Sequence, residues 1–142
     1  MLLPVSDNPD VEDAGGGSHW SLLAFVGGGR GAWRHYDSLP GSNAPHARAL
    51  ARVLQPVLGG GACREAEAQQ QQNGYDCGIY CCAFARLLCA RLAAEGAQGM
   101  GLEVSASEVS PEGAAALRGE IHRLILERGA RQQAAAAGGQ RH

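Results

Sequence analysis

The sequence Gln-Gln-Asn-Gly-Tyr-Asp-Cys-Gly occupies residues 71–78 and runs directly into an apolar stretch. It places Cys77 at the point where a polar loop turns into a predicted helix, with Gln71 six residues earlier. The first turn of a helix has unpaired backbone N–H groups and carries the positive end of the helix dipole, so a thiolate is stabilised there. A cysteine at this position is therefore a candidate nucleophile.

Acyl transfer by a thiol also needs a base, an acceptor that orients the base, and donors for the developing oxyanion. A free cysteine, with a pKa of about 8.5, is only a few per cent ionised at neutral pH, so an imidazole is the usual partner that takes its proton. His19 is the candidate base for Cys77, and Asp37 is the candidate acceptor that fixes the imidazole tautomer. The amide of Gln71 and the backbone N–H of Cys77 can bind the oxyanion of a tetrahedral intermediate.

A predicted hairpin brings the base and its acceptor together. Trp20–Val26 is rich in bulky apolar residues and too short for a typical helix, which predicts a buried strand. The glycines at residues 27–29 then turn the chain into a second strand at residues 32–37. His19 and Asp37 lie at the outer ends of these two strands, so pairing of the strands places them side by side.

Alternating strand and helix signals before residue 70 predict an α+β fold. A first strand is predicted at Leu2–Ser6, and a fourth at residues 62–68. Between them, Ser42 or Asn43 is expected to cap a helix that has Pro45 in its first turn and ends at the glycines of residues 59–61. The apolar stripe predicted for this helix follows the 3.6-residue period: Leu50, Val53, Leu54, Val57 and Leu58.

Two further helices are predicted after the Cys77 loop. The helix at residues 77–93 is apolar on almost every side, so we expect it in the middle of the domain. Ser110 and Pro111 open the last helix, which is expected to end before Gly129. Its predicted apolar face comprises Leu117, Ile121, Leu124 and Ile125. Residues 129–142, rich in Gln, Ala and Gly, are predicted to be a disordered tail.

Composition restricts the class of protein. The 142 residues allow one domain, and a net charge of −2 gives no electrostatic case for nucleic acid or an anionic membrane. The apolar stretch at residues 1–5 is short and lacks basic residues, so no signal peptide is expected, and no apolar run is predicted to be long enough to span a bilayer. Five cysteines, an odd number, are typical of a reducing compartment, so cytosol or nucleus is expected.

The remaining cysteines and histidines have simpler interpretations. Cys81, Cys82 and Cys89 are expected to be small core residues of an apolar helix. With Cys63 alone in its segment, the chain lacks the paired ligand spacing of a zinc site, so no metal and no cofactor is predicted. The other histidines are interpreted as a strand-face residue and two surface residues: His35, His46 and His122.

The motifs together resemble the Ulp-type, or sentrin-specific, cysteine proteases. The shared segments are residues 19–23, 36–38 and 71–78, with further similarity at residues 42–43, 46–47 and 118–120; the resemblance runs from about residue 5 to residue 126. It is closest to the deneddylase branch, which acts on the neddylation modifier. The resemblance implies a triad of His19, Asp37 and Cys77, with Gln71 as oxyanion donor. It also implies that Trp20 is a substrate-binding wall of the tunnel that admits a Gly-Gly tail.

This resemblance implies a papain-like fold, in which a mixed sheet packs on a buried helix that begins at the catalytic cysteine. The implied function is cleavage after the C-terminal Gly-Gly of a ubiquitin-like modifier, most of all deneddylation. The alternatives are a deSUMOylating protease and a catalytically weak fragment that only binds a modifier. Because the family has a substantial segment before its His-Trp strand and only 18 residues precede His19 here, we expect residues 1–128 to be the C-terminal catalytic part of such a domain.

Overall fold

The computed structural model describes residues 1–138 apart from residues 11, 14, 28–30, 100 and 106. Four strands and three helices follow one another along the described chain. In order they are β1 (Leu2–Ser6), β2 (Trp20–Val26), β3 (Ala32–Tyr36), α1 (Ala44–Leu58), β4 (Arg64–Glu65), α2 (Cys77–Gly99) and α3 (Pro111–Gly138). The α+β class predicted from the sequence is confirmed.

The four strands form one mixed sheet in the order β1-β2-β3-β4. β1 pairs antiparallel with β2, and β2 pairs antiparallel with β3, with Leu22 opposite Tyr36. β4 pairs parallel with β3 through two residues only, so the fourth strand is much shorter than predicted. The predicted bounds of β1 and β2 are confirmed, and the predicted β2–β3 pairing is confirmed as well. The turn glycines 28 and 29 lie outside the described residues.

One face of the sheet packs on α2 through an apolar cluster. Alternate residues of β2, Leu22 and Ala24, join Tyr36 of β3 on this face. From α2 they meet Tyr80 and Phe84, whose ring centroids are 6.2 Å apart. All five side chains are almost completely buried, so this face excludes water as a core does.

The other face of the sheet packs on α1. Phe25 and Trp33 stack there with ring centroids 4.6 Å apart, and Ala47 and Ala51 bring the helix close to the strands. The stripe predicted for α1 is wrong in part, because Val53 and Val57 are 71% and 84% exposed. The fully buried stripe consists of alanines, and Leu50, Leu54 and Leu58 flank it partly buried. The leucines and valines extend around more of the circumference of α1 than the single face that contacts the sheet, so some of them remain exposed.

α2 begins at Cys77 as predicted, but it is not buried on every side. Its face toward the sheet is buried as far as Leu88, whereas Cys82, Cys89 and Leu92 are exposed. The prediction that α2 lies in the middle of the domain is therefore correct only for its sheet-facing side in its first three turns. By length and composition Cys77–Gly96 could cross a membrane, contrary to the sequence prediction, although core helices also meet these criteria. In this fold α2 packs on β2.

α3 extends beyond its predicted end. Leu117 is buried and Ile121 partly so, but Leu124 and Ile125, predicted on the same face, are exposed. The helix continues through Gly129 to Gly138, because a glycine inside a helix costs only about 1 kcal/mol relative to alanine and strong helix formers follow it. The predicted disordered tail thus overlaps a helix up to residue 138; residues 139–142 lie outside the described residues.

Candidate active site

The site begins with a buried imidazole–carboxylate pair. The Nε2 atom of His19 lies 2.5 Å from Oδ1 of Asp37. His19 is 4% exposed and Asp37 is 5% exposed. The hairpin explains the contact, since His19 immediately precedes β2 and Asp37 immediately follows β3. With Nε2 engaged by the carboxylate, Nδ1 is the ring atom left to exchange a proton with a reacting group.

The carboxylate of Asp37 is held by backbone donors as well. Oδ1 accepts the N–H of Leu39 at 2.9 Å, and Oδ2 accepts the N–H of Asn43 at 3.0 Å. Asn43 is the residue before the first turn of α1, so the positive end of this helix faces the carboxylate. Three donors therefore fix the rotamer of Asp37 before any substrate binds.

A second carboxylate, that of Asp7, fixes the backbone of the segment that leads into His19. Oδ1 of Asp7 accepts the backbone N–H groups of Ser18 and His19 at 2.7 and 3.0 Å. Oδ2 accepts the hydroxyl of Ser18 at 2.6 Å. These bonds, that of the Ser18 hydroxyl first, lower the pKa of Asp7 to about 2. At neutral pH Asp7 is thus a charged acceptor that anchors the backbone of the candidate base.

Cys77 is the first residue of α2, as the sequence predicts. The preceding residue, Asp76, accepts the first helical hydrogen bond through its carbonyl, from Tyr80 N–H at 2.9 Å. The N–H of Cys77 therefore belongs to the unpaired first turn, where the helix dipole favours an anion. The side chain is only 7% exposed.

The register of α2 on β2 brings Cys77 level with His19. The thiol of Cys81 contacts the carbonyl of Ser21 at 3.4 Å, and farther along both elements Leu88 and Val26 line one common cavity. The helix and the strand therefore run in the same direction. Four helical residues back from Cys81 and two strand residues back from Ser21 each span about 6 Å. Cys77 and His19 thus occupy the same end of the packed pair.

Position along the helix distinguishes Cys77 from Cys81, since both are buried. Cys81 lies one turn inside the helix, and burial raises the pKa of its thiol to about 12. At neutral pH this thiol is protonated and unreactive. Of the two, only Cys77 has unpaired helix N–H groups beside it. Cys82 and Cys89, predicted to be core residues, are instead exposed, which corrects that prediction; for Cys81 it is confirmed.

Gln71 is oriented by two hydrogen bonds of its side chain. Oε1 accepts the Ser38 hydroxyl at 2.7 Å, and Nε2 donates to the carbonyl of Asn73 at 2.6 Å. Since a carbonyl can only accept, the contact with Asn73 assigns the orientation of the amide. The amide has a second N–H for which the described residues provide no acceptor. Such a fixed donor is what oxyanion binding requires.

The loop between Gln71 and Cys77 is braced by Asp76. Its Oδ2 accepts the Asn73 amide at 2.7 Å, and Oδ1 pairs with the Arg118 guanidinium from α3. These two contacts, Asn73 first, lower the pKa of Asp76. Arg118 also lies over the Tyr75 ring, 5.4 Å from its centroid. α3 is thereby tied to the segment that carries both Gln71 and Cys77.

Trp20, predicted to bind substrate, is 44% exposed beside His19, so its indole is accessible at this end of the sheet. His35 lies on a strand face as predicted and is completely buried between Glu65 and Ser21, at 2.6 and 2.8 Å. It does not reach the His19–Asp37 pair. His46 and His122 are exposed, as predicted. Within the described ranges, no three His, Cys, Asp or Glu side chains come together to hold a metal ion.

The chain is similar in sequence to known proteases. Residues 61–110 match the Ulp1 protease family, C-terminal catalytic domain. The chain is 40% identical over 92 residues to NEDD8-specific protease 1 of Arabidopsis thaliana, covering 63% of this chain and 40% of that protein. It is 38% identical over 93 residues to human sentrin-specific protease 8, covering 63% and 42%. Residues 61–110 are thus similar to part of the catalytic domain of the Ulp1 family.

A solved structure similar to this chain supports the fold assignment. It is the Xanthomonas campestris effector protein XopD bound to ubiquitin, with 27% identity and a TM-score of 0.52 over 73% of this chain and 51% of that one. The predicted papain-like Ulp-type fold is confirmed. The chain spans about two fifths of the length of the curated relatives it matches.

Three residues that hold this site could not be identified from the sequence. Asp7 and Ser38 hold His19 and Gln71 respectively, and no pattern around either residue signals this contact. Asn43 was predicted as a helix cap, but its side chain makes no hydrogen bond to the N–H groups of α1, all of whose residues are described. It points instead toward the backbone of His19.

Proposed function

We propose that this chain is the catalytic part of a thiol peptidase that cuts after the C-terminal Gly-Gly of a ubiquitin-like modifier, with the neddylation modifier as its main substrate. The observation that carries the proposal is the buried His19–Asp37 pair, whose Nδ1 is free of the carboxylate at the end of the sheet where α2 begins with Cys77. Supporting it, the relatives include proteins called NEDD8-specific and sentrin-specific proteases.

In the proposed reaction, the Cys77 sulfur attacks the carbonyl carbon of the terminal glycine, and His19 takes the thiol proton on Nδ1. Asp37 holds the resulting imidazolium through Nε2. The second N–H of Gln71 and the backbone N–H of Cys77 bind the oxyanion. The C–N bond then breaks, and the leaving amine takes the proton from His19. The product at this stage is a thioester between the modifier and Cys77.

Water completes the cycle. His19 takes a proton from the attacking water, and the thiolate of Cys77 leaves as the thioester bond breaks. No metal or cofactor takes part in these steps. Trp20, accessible beside the base, is proposed to contact the extended tail of the modifier.

The test uses modifiers that bear a C-terminal electrophile in place of the scissile bond. The neddylation modifier, a SUMO-type modifier and ubiquitin are each incubated with the chain, and the adduct is located by mass spectrometry. We expect one adduct, on Cys77, formed fastest with the neddylation modifier. Cys77→Ser should abolish it, whereas Cys82→Ser is the matched control, because Cys82 is an exposed cysteine of the same helix.

The outcomes separate the alternatives. Faster labelling by the SUMO-type modifier would assign the chain to deSUMOylation. Tight binding of a modifier without an adduct would indicate a fragment that only binds. An adduct on Cys82, Cys89 or Cys63 would contradict the assignment of the nucleophile.

A further inference from the structure

Asn43 occupies the cap position of α1 but does not act as a cap. Its side chain is completely buried. Nδ2 donates to the carbonyl of Val5 at 3.0 Å and to the carbonyl of His19 at 3.3 Å. Its backbone N–H donates to Oδ2 of Asp37 at 3.0 Å. One residue therefore contacts both members of the His19–Asp37 pair and the end of β1.

This arrangement is unfavourable for stability in two respects. An asparagine before a helix normally accepts a hydrogen bond from the first turn, and Asn43 forgoes that bond. Its Oδ1 atom is buried and has no hydrogen-bond partner among the described residues, and an unpaired buried acceptor is costly. The orientation of the side chain is thus set by the two carbonyls that Nδ2 binds.

The hydrogen bonds of Asn43 complete the fixation of the His19 backbone. Asp7 accepts the N–H of His19, and Asn43 donates to its carbonyl, so the peptide groups on both sides of the imidazole are held. Asp37 fixes the ring at Nε2. A displacement of about 1 Å in such a constellation can reduce the rate about 100-fold.

We propose that Asn43 is a positioning residue for the candidate base. It holds the His19 imidazole in the position along the sheet at which its free nitrogen faces the Cys77 thiol. The inference rests on the proposed function. Asn43 touches no substrate in this scheme; it acts through His19 and Asp37. The imidazole contacts Asp37 from the end of β3, and the His19 backbone contacts Asp7 from the loop after β1. Cys77, from α2, lies at the same end of the sheet.

The test substitution is Asn43→Ser. Serine keeps the backbone N–H to Asp37 and is a favourable cap for α1, but its side chain is too short to reach the carbonyls of Val5 and His19. The matched control is Ser42→Ala, which changes the exposed neighbour. The readout is the rate of Cys77 alkylation by iodoacetamide as a function of pH, measured on folded protein and located by peptide mass mapping. This reaction needs no modifier.

For the wild type and Ser42→Ala, we expect Cys77 to be alkylated at neutral pH much faster than the exposed, unassisted thiol of Cys82. For Asn43→Ser, the rate at Cys77 should fall toward that of Cys82, because the imidazolium no longer faces the sulfur. Modifier hydrolysis should fall up to about 100-fold in kcat with little change in KM.

Each remaining outcome contradicts the inference. An alkylation profile of folded Asn43→Ser identical to that of the wild type would show that the side chain does not position the base. Unfolding of this variant would assign Asn43 to stability of the fold instead. If the wild-type thiol itself behaves as unassisted, the proposed function fails together with the inference, so the two failures are distinguishable.

Discussion

The two faces of the sheet bury different kinds of side chains. The face under α2 buries apolar and aromatic side chains, among them Leu22, Tyr36 and Phe84. The face under α1 also buries polar groups, His35 and Ser21, and the buried His19–Asp37 pair lies at the end of the sheet. Apolar groups need only exclusion from water, whereas each buried polar group needs a specific partner. We therefore expect the first face to determine stability and the second to determine activity.

The largest effect is expected from a cavity in the α2 face. Phe84 is 1% exposed, and its ring centroid lies 5.5 Å from that of Tyr36. Phe84→Ala should lower the free energy of unfolding by about 3–5 kcal/mol, a large part of the stability of a small domain. Urea unfolding followed by circular dichroism measures this loss. Val57→Ala, an exposed control on α1, should change it by less than about 0.5 kcal/mol; similar losses for both would contradict the assignment of the core.

A smaller effect, on the activation barrier rather than on stability, is expected at Gln71, the proposed oxyanion donor. Gln71→Ala should reduce turnover of a modifier substrate about 10²–10³-fold, or about 2.7–4 kcal/mol, while leaving alkylation of Cys77 nearly unchanged. His19→Ala should lower both rates, because the thiolate loses its counter-charge. The control is Gln69→Ala, whose side chain contacts only the carbonyl of Gln70 among the described residues. Equal effects of Gln71→Ala and His19→Ala on alkylation would refute these separate roles.

The smallest effect is expected at Asp7 and depends on pH. The folded-state pKa of this carboxyl is about 2, below the value of about 3.9 for an unfolded chain. Its contribution to stability is therefore fully present above about pH 4 and is lost as the pH falls toward 2. Asp7→Asn should lower Tm by a few degrees at pH 7, and the difference from the wild type should shrink between pH 4 and pH 2. A difference independent of pH would show that the ionised carboxylate is not what matters.

The strands and helices that form the apolar core could be predicted from local sequence patterns. β1 and β2 have their predicted bounds, and α2 starts at its predicted residue, because strand alternation and helix signals are local properties. The errors lie where tertiary packing selects among apolar residues. Val57 and Ile125 fit the period of their helices but remain mostly exposed, and the period cannot show how wide the contact face is.

For the polar groups of the candidate site, the sequence predicts the type of chemistry but not the contacts that hold the residues in place. The types and order of His19, Asp37, Gln71 and Cys77 indicate acyl transfer, and the hairpin explains the one contact that could be foreseen. The residues that hold them were missed, since Asp7 contacts the His19 backbone across a loop. The two hydrogen bonds from the Asn43 side chain to backbone carbonyls likewise cannot be predicted from the spacing of residues. Such contacts follow from the assembled backbone rather than from neighbouring sequence.

The hairpin that pairs His19 with Asp37 also determines the order in which the site assembles. These two residues are 18 positions apart, and Cys77 follows Asp37 by 40. A hairpin closes in microseconds, whereas longer loops cost more entropy to close. We therefore expect His19 and Asp37 to meet early in folding, and Cys77 to join them only when α2 docks. With this order of assembly, a chain emerging from the ribosome carries a cysteine without its proposed base until α2 has docked.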